Sequence, residues 1–199
     1  MRQKTLAWLA VFVTALEMTG CAQTFTTLRS FGVFTNITGY RPESALAQGP
    51  DGMLYGCTTS GEGPVNGTVF KIQPDGSGFT VLKWFTNTAD GTLLNGGLTL
   101  DGNVLYGTAT LGGNSGDGTL FKLNTNGTGF QVIKDFGGGD GRAPLSVLTV
   151  TNGVIYGTTF FGGNSDFGTV FSTARPCPAV ARAMALCLPL IRMAQASPC

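Results

Sequence analysis

Three stretches of this chain are copies of one another. LYGCTTSGEGPVNGTVFKI at 54–72, LYGTATLGGNSGDGTLFKL at 105–123 and IYGTTFFGGNSDFGTVFST at 155–173 align without a gap, at spacings of 51 and 50 residues. Tyr55, Tyr106 and Tyr156 correspond, as do Gly67, Gly118 and Gly168, and Phe70, Phe121 and Phe171. A unit of this size buries its apolar face only against a neighbouring copy, so the repeat dictates a stack of like modules.

The similarity runs beyond these stretches. DGSGFTVLKWF at 75–85 matches NGTGFQVIKDF at 126–136, and FTTLRSF at 25–31 is a further copy of that last segment alone. An apolar run and then Asp51-Gly52, Asp101-Gly102 or Asn152-Gly153 precede each Tyr. Such dipeptides tolerate the positive φ of a tight hairpin turn. Each unit therefore reads as four short strands: the run before the turn (Leu98 to Leu100, Ser146 to Val150), the LYGT run, the GTVFKI run, and a segment carrying Phe79, Leu82 and Phe85 or Phe130, Ile133 and Phe136. Four antiparallel strands in about fifty residues is the size of a propeller blade. The expected fold class is all-β, with β-propeller-like four-stranded repeats. A parallel β-helix has a much shorter coil, and an α/β fold needs a helical periodicity that is absent here.

The pattern LYGTT…GG…G.GTVFKL…G..F..L..F resembles the GloVer tandem repeats of bacterial surface proteins over roughly residues 25 to 172. That resemblance implies an exported, propeller-like repeat protein. It implies no catalytic residues, because the family has no defined biochemical role.

Two features depart from such a pattern. About three units are present, fewer than the usual four to eight blades. Either 25–31 supplies the fourth strand missing after Phe171 and closes a ring, or the units form an open arc with exposed edges that favour self-association. The second departure is the tail. All 31 glycines precede Thr169, whereas Cys177, Cys187, Cys199 and four of the nine prolines lie beyond it. Two readings stand: a reading-frame shift or truncated gene, or a short divergent helix around Ala179 to Arg192. Its apolar stretch is too short, and too interrupted by Arg182 and Pro189, to span a bilayer.

Composition excludes several chemistries. The chain has no His, which removes imidazole as a base or metal ligand. A net charge of +1 gives no footprint for nucleic acid or an anionic membrane. Nothing in the sequence points to a cofactor. GGNSGDG at 112–118 has one sharp reading, a calcium turn with Asp117 as ligand. Against it, the sister loops GEGPVNG and GGNSDFG displace or lack the carboxylate, which favours a plain loop. A phosphate cradle lacks its following helix and its GK[ST] motif.

Of the Asp residues, 51, 75, 90, 101, 117 and 140 each precede Gly and are read as turn formers, leaving few candidates for the acid/base pair of a glycosidase. The repeated tyrosines pack between units or stack on sugar rings, with packing favoured. Lys71 and Lys122, and Lys83 and Lys134, read as solvated strand edges. Cys57 has no partner within the repeat and is open to pairing with a tail cysteine in an oxidising compartment.

The N-terminus reads as an export signal: Arg2 and Lys4 precede an apolar run from Leu6 to Leu16. Cleavage after Ala22 is the first expectation, and lipidation of Cys21 in the imperfect lipobox MTGC is the second. The resulting parse is a signal peptide at 1–22, repeats at 23–172 (units about 44–85, 94–136 and 145–172, plus strand 25–31) and an atypical tail at 173–199.

The expected function is an exported, non-catalytic scaffold at the cell surface or outside the cell, whose partner is an extracellular ligand such as a glycan or a protein. The alternatives are a glycan-binding or glycan-degrading protein, and a truncated fragment without function. The frameshift reading is checked on the gene. A second frame across codons 165 to 199 should restore GTVFS and continue into another unit, and its absence rejects the shift.

Overall fold

The computed structural model describes residues 24–31, 38–61 and 64–173. The expected signal peptide, Cys21 and the tail beyond Thr173 lie outside these residues. The described chain is all-β, and its strands fall into three antiparallel four-stranded sheets. In the first, β1 (Ala47–Gln48), β2 (Leu54–Thr58), β3 (Thr68–Ile72) and β4 (Thr80–Trp84) pair in sequence order. In the second, β5 (Leu98–Asp101), β6 (Val104–Ala109), β7 (Thr119–Asn124) and β8 (Gln131–Asp135) do the same. This meander is the strand order of a propeller blade. Both sheets carry a register shift at the same place, between Val69 and Phe70 and between Leu120 and Phe121.

The third sheet differs from the expected plan. β10 (Thr149–Thr151), β11 (Val154–Phe161) and β12 (Thr169–Ser172) pair in order, but nothing among the described residues pairs with the far edge of β12. Its fourth member is β9 (Arg142–Pro144), which precedes β10 and pairs with the far half of β11. The equivalent contacts in the other two units are single bridges, Tyr40 to Ser60 and Thr92 to Leu111.

The invariant glycine of the LYGT run has a packing cause. Gly56, Gly107 and Gly157 lie directly opposite Phe70, Phe121 and Phe171 on the neighbouring strand. A Cβ at these glycines would stand 2.6, 2.6 and 2.5 Å from the Phe Cζ atoms, closer than any real contact allows. Each Phe ring therefore lies flat over a glycine and fills the sheet face that looks toward the preceding unit. Residues alternate faces along a strand, so Tyr55, Cys57 and Val69 look toward the following unit. They pack there with Phe85, Leu94, Leu98, Leu105, Phe121 and Leu123. A second, smaller core joins the second and third units through Leu120, Phe136, Leu148 and Ile155.

Phenylalanine rings meet in threes at these junctions. Phe85, Phe121 and Phe130 have centroid separations of 5.0, 5.5 and 5.9 Å. Phe31, Phe70 and Phe79 repeat the cluster at 5.3, 5.8 and 5.2 Å. Edge-on and tilted pairs at such spacings add about 0.5–1.5 kcal/mol each beyond their burial. At the third junction Phe136 meets Phe171 at 4.9 Å, and no third ring joins them among the described residues.

Phe31 shows where the segment 25–31 lies. It packs on the first unit as 79–85 packs on the second. The Arg29 guanidinium sits 3.8 Å from the Phe79 centroid, as Lys83 Nζ sits 4.3 Å from that of Phe130. Leu28 backbone crowds Gly76 as Leu82 backbone crowds Gly127. The segment, expected as a strand, joins no sheet, and it does not close the third sheet. The described units are thus an open series.

Replacing Gly107 by Ala should destabilise the protein by about 1–3 kcal/mol through overpacking against Phe121. Gly139→Ala, whose Cβ meets nothing within 4 Å, should stay within about 0.5 kcal/mol of the parent. Urea unfolding of both variants checks the contrast.

Candidate functional site at the open end

The face that the first unit turns toward its successor is buried, and that of the second unit is partly so. Tyr55, Thr59 and Val69 are 0, 3 and 0% exposed; their third-unit equivalents Tyr156, Phe160 and Val170 are 41, 60 and 81% exposed. Phe161 and Phe167 add two more exposed rings on the same β11–β12 hairpin. Large exposed apolar side chains grouped on one hairpin are the kind of surface through which proteins meet partners or ligands.

One side of this hairpin is pinned. Arg142 forms an ion pair with Asp166 at 2.6 Å and lies 4.9 Å from the Phe161 centroid, while Gly162 N–H donates to Asp166 Oδ1. The Arg142 guanidinium, ahead of the Gly162 amide, holds the Asp166 carboxyl below the usual carboxylate range.

Beneath the edge of β12 lies a cavity of about 420 Å³. It is lined by Leu120, Ile133, Lys134, Phe136, Phe171 and Thr173, among others. This is the place that a third ring occupies at the other two junctions. The sequence reading did not find this site. Its signal was nevertheless present: the last copy carries Phe160, Phe161 and Phe167 where the first has Thr59, Ser60 and Asn66.

Asp117 accepts a hydrogen bond from Gly138 N at 3.1 Å, and its carbonyl accepts from Ala143 N. Both contacts fasten the glycine loop to the start of the third unit. In the same loop Asn114 donates twice to Asp135. The loop closes on itself through Gly118 N–H to Gly112 O, with Gly118 at φ 107°. Among the described residues no group of three or more His, Cys, Asp and Glu is placed to hold a metal ion. No described helix is long and apolar enough to cross a membrane.

Turn formation does not account for all the Asp-Gly pairs. Asp90 and Asp140 end short 3₁₀ turns, Thr88–Asp90 and Gly138–Asp140, and form ion pairs with Lys83 and Lys134. Their carbonyls accept from the hydroxyls of Thr119 and Thr169, at 3.0 and 3.1 Å. Lys83 is therefore no solvated edge residue: it bridges Asp90 and the Phe130 ring. The Lys134 ammonium, before any other contact, lowers the Asp140 carboxyl pKa.

Of the repeated tyrosines, expected to pack between units, two do and the third does not. Tyr55 is buried and donates to Asp51 at 2.7 Å, Tyr106 is half-buried beside the second core, and Tyr156 is exposed. Cys57 is buried and within hydrogen-bond reach of Leu94 O and Ser44 Oγ. The tail cysteines expected as its disulfide partners lie outside the described residues.

Stacked copies of one antiparallel sheet, joined through rings and ending in an unsatisfied face, define a tandem-repeat all-β protein. The chain belongs to the Gloeobacter/Verrucomicrobia repeat family, whose model matches residues 13–174. Among curated proteins none matches the sequence.

Burial pushes the Cys57 thiol from 9.0 up to about 11, and burial followed by the Asp51 hydrogen bond pushes Tyr55 from 10.0 to about 12. Both groups are raised in the folded state, so their stabilisation is complete below the unfolded values and is lost as pH rises through the folded ones. Thermal stability should fall steadily from about pH 9 to pH 12, and Cys57→Ala should flatten the onset near pH 9. A thiol reagent at pH 7.5 should label Cys57 only after unfolding.

Proposed function

We infer that this chain is an exported, non-catalytic interaction scaffold that works at the cell surface or outside the cell. The observation that carries this reading is the apolar face of Tyr156, Phe160 and Val170, held open on a rigid sheet at the end of the series. Aromatic side chains on a fixed backbone offer large contact area at low entropic cost. The carboxylates support the same reading. Asp51, Asp75, Asp140 and Asp166 all have lowered pKa values, each through a hydrogen bond from a neighbouring side chain or backbone amide. A general acid needs the opposite shift.

Export rests on the charged start and the apolar run 6–16. Expressed in a Gram-negative host, the chain should leave the cytoplasm and give a mature mass beginning at Gln23. A diacylglycerol-modified Cys21 would instead mark a lipoprotein, and an intact Met1 in the cytoplasm would reject export.

Binding is tested with cellulose, chitin, xylan and starch in pull-down and thermal-shift assays. A scaffold of this kind should hold at least one of them without releasing soluble sugar, and in the single-chain form, where Phe160 is uncovered, Phe160→Ser should weaken retention tenfold or more. Sugar release that an Asp→Asn substitution abolishes would overturn the non-catalytic reading. Retention by the single-chain form that is indifferent to Phe160 would reject the open end as the binding face.

A further inference from the structure

Among the described residues the open end lacks two things that both other junctions have: a fourth strand beside β12 and a third phenyl ring over Phe136 and Phe171. The chain holds one unused copy of both. FTTLRSF at 25–31 repeats the fourth-strand segments FTVLKWF and FQVIKDF position by position. Its first residue, Phe25, corresponds to Phe79 and Phe130, which are the third rings of their clusters. Those two are packed against their neighbours, whereas Phe25 is 95% exposed and makes no ring contact among the described residues.

We propose that two copies of this chain associate head to tail, residues 25–31 of each adding to β12 of the other as the missing fourth strand, so that Phe25 fills the cavity at Phe136 and Phe171. The proposal rests on the reading of the open end as a docking face and names its occupant.

The register follows from the two complete sheets. There Thr68 pairs with Trp84, Val69 with Lys83, Phe70 with Val81 and Lys71 with Thr80, and the second unit repeats this pairing. Transferred to the open edge, Thr169 pairs with Ser30, Val170 with Arg29, Phe171 with Thr27 and Ser172 with Thr26 across the two copies. The added strand satisfies the free edge of β12 with main-chain hydrogen bonds, as in other strand additions.

Size and chemistry both fit. A cavity of about 150 Å³ already admits a benzene-sized ring, and the one here is about 420 Å³. Lys134 lines it, placed to lie over Phe25 as Lys83 lies over Phe130 and Arg29 over Phe79. Residues 25–31 stay on their own first unit while they join the partner's third sheet, because a fourth strand at every junction touches both units. The partner's first unit then covers Tyr156, Phe160 and Val170, as the second unit covers Tyr55, Thr59 and Val69. Made twice, the contact is reciprocal and brings six sheets together, within the four to eight of closed propellers. The tail offers no competing copy, since no F..L..F pattern occurs beyond Phe171.

Two measurements on the purified chain test this. Sedimentation equilibrium should give the mass of two chains, and Phe25→Asp should shift it to one chain with an unchanged far-ultraviolet spectrum. Independently, Ser30→Cys combined with Thr169→Cys should form a disulfide between chains in high yield on mild oxidation. Each single variant should give at least tenfold less of that product. A bond within one chain would show that the ring closes on itself and would overturn the pairing. A single-chain mass at all concentrations, or an unlimited series of larger species, would overturn it too. A single-chain protein that still needs Phe160 to retain a polysaccharide would sink the pairing alone. One indifferent to Phe160 would sink the docking face as well.

Discussion

The structure depends on one contact made three times: a phenylalanine ring lying on a glycine of the neighbouring strand. Gly56, Gly107 and Gly157 leave the room that Phe70, Phe121 and Phe171 fill. The flattened ring then serves as a platform for rings from the preceding unit and from its own fourth strand. Glycine costs backbone entropy in a strand, and the cost is offset because the ring buries a large apolar area at the junction. A methyl group at this position would lift the ring and part the units. The core of this protein lies between copies rather than inside any one of them.

Around this contact the polar groups serve the same end. Thr68, Thr119 and Thr169 donate to the carbonyls of Thr38, Asp90 and Asp140, tying each third strand to the chain that enters its unit. Lys83 and Lys134 tie the fourth strand to the 3₁₀ turn that follows it. The acidic residues are thus spent on turns and junctions. Among the described residues no three of them gather with a Cys into a group that could hold a metal ion.

The open end follows from the same logic by subtraction. A module that is stable only against its neighbour presents an unsatisfied face wherever the series stops. Among the described residues that face carries Tyr156, Phe160 and Val170, and Phe160 stands there in place of Thr59. The reading of the repeats found the four-strand unit, its order in the first two sheets and its hairpin turns, because turn dipeptides and strand alternation are local signals. It placed Tyr55 correctly as packing, but it treated the three tyrosines alike. Their exposure is decided by whether a further unit follows, which no local window contains. It also missed the candidate face. A Phe in place of Thr59 is visible in the alignment, but its exposure is not.

By itself the sequence determined the repeat, the all-β class and the four-strand unit, since these rest on periodicity, turn chemistry and internal comparison. Only the tertiary structure decided why the glycine recurs, because a ring over a glycine is a contact between strands fourteen residues apart. It also decided where 25–31 lies: resemblance to a fourth strand named its kind, and packing against Phe70 and Phe79 named its neighbour. The same holds for Lys83, which reads as a solvated strand edge until the fold brings Asp90 and Phe130 to it. Local sequence sets what each segment can become, and contacts between units set which of its faces meets water.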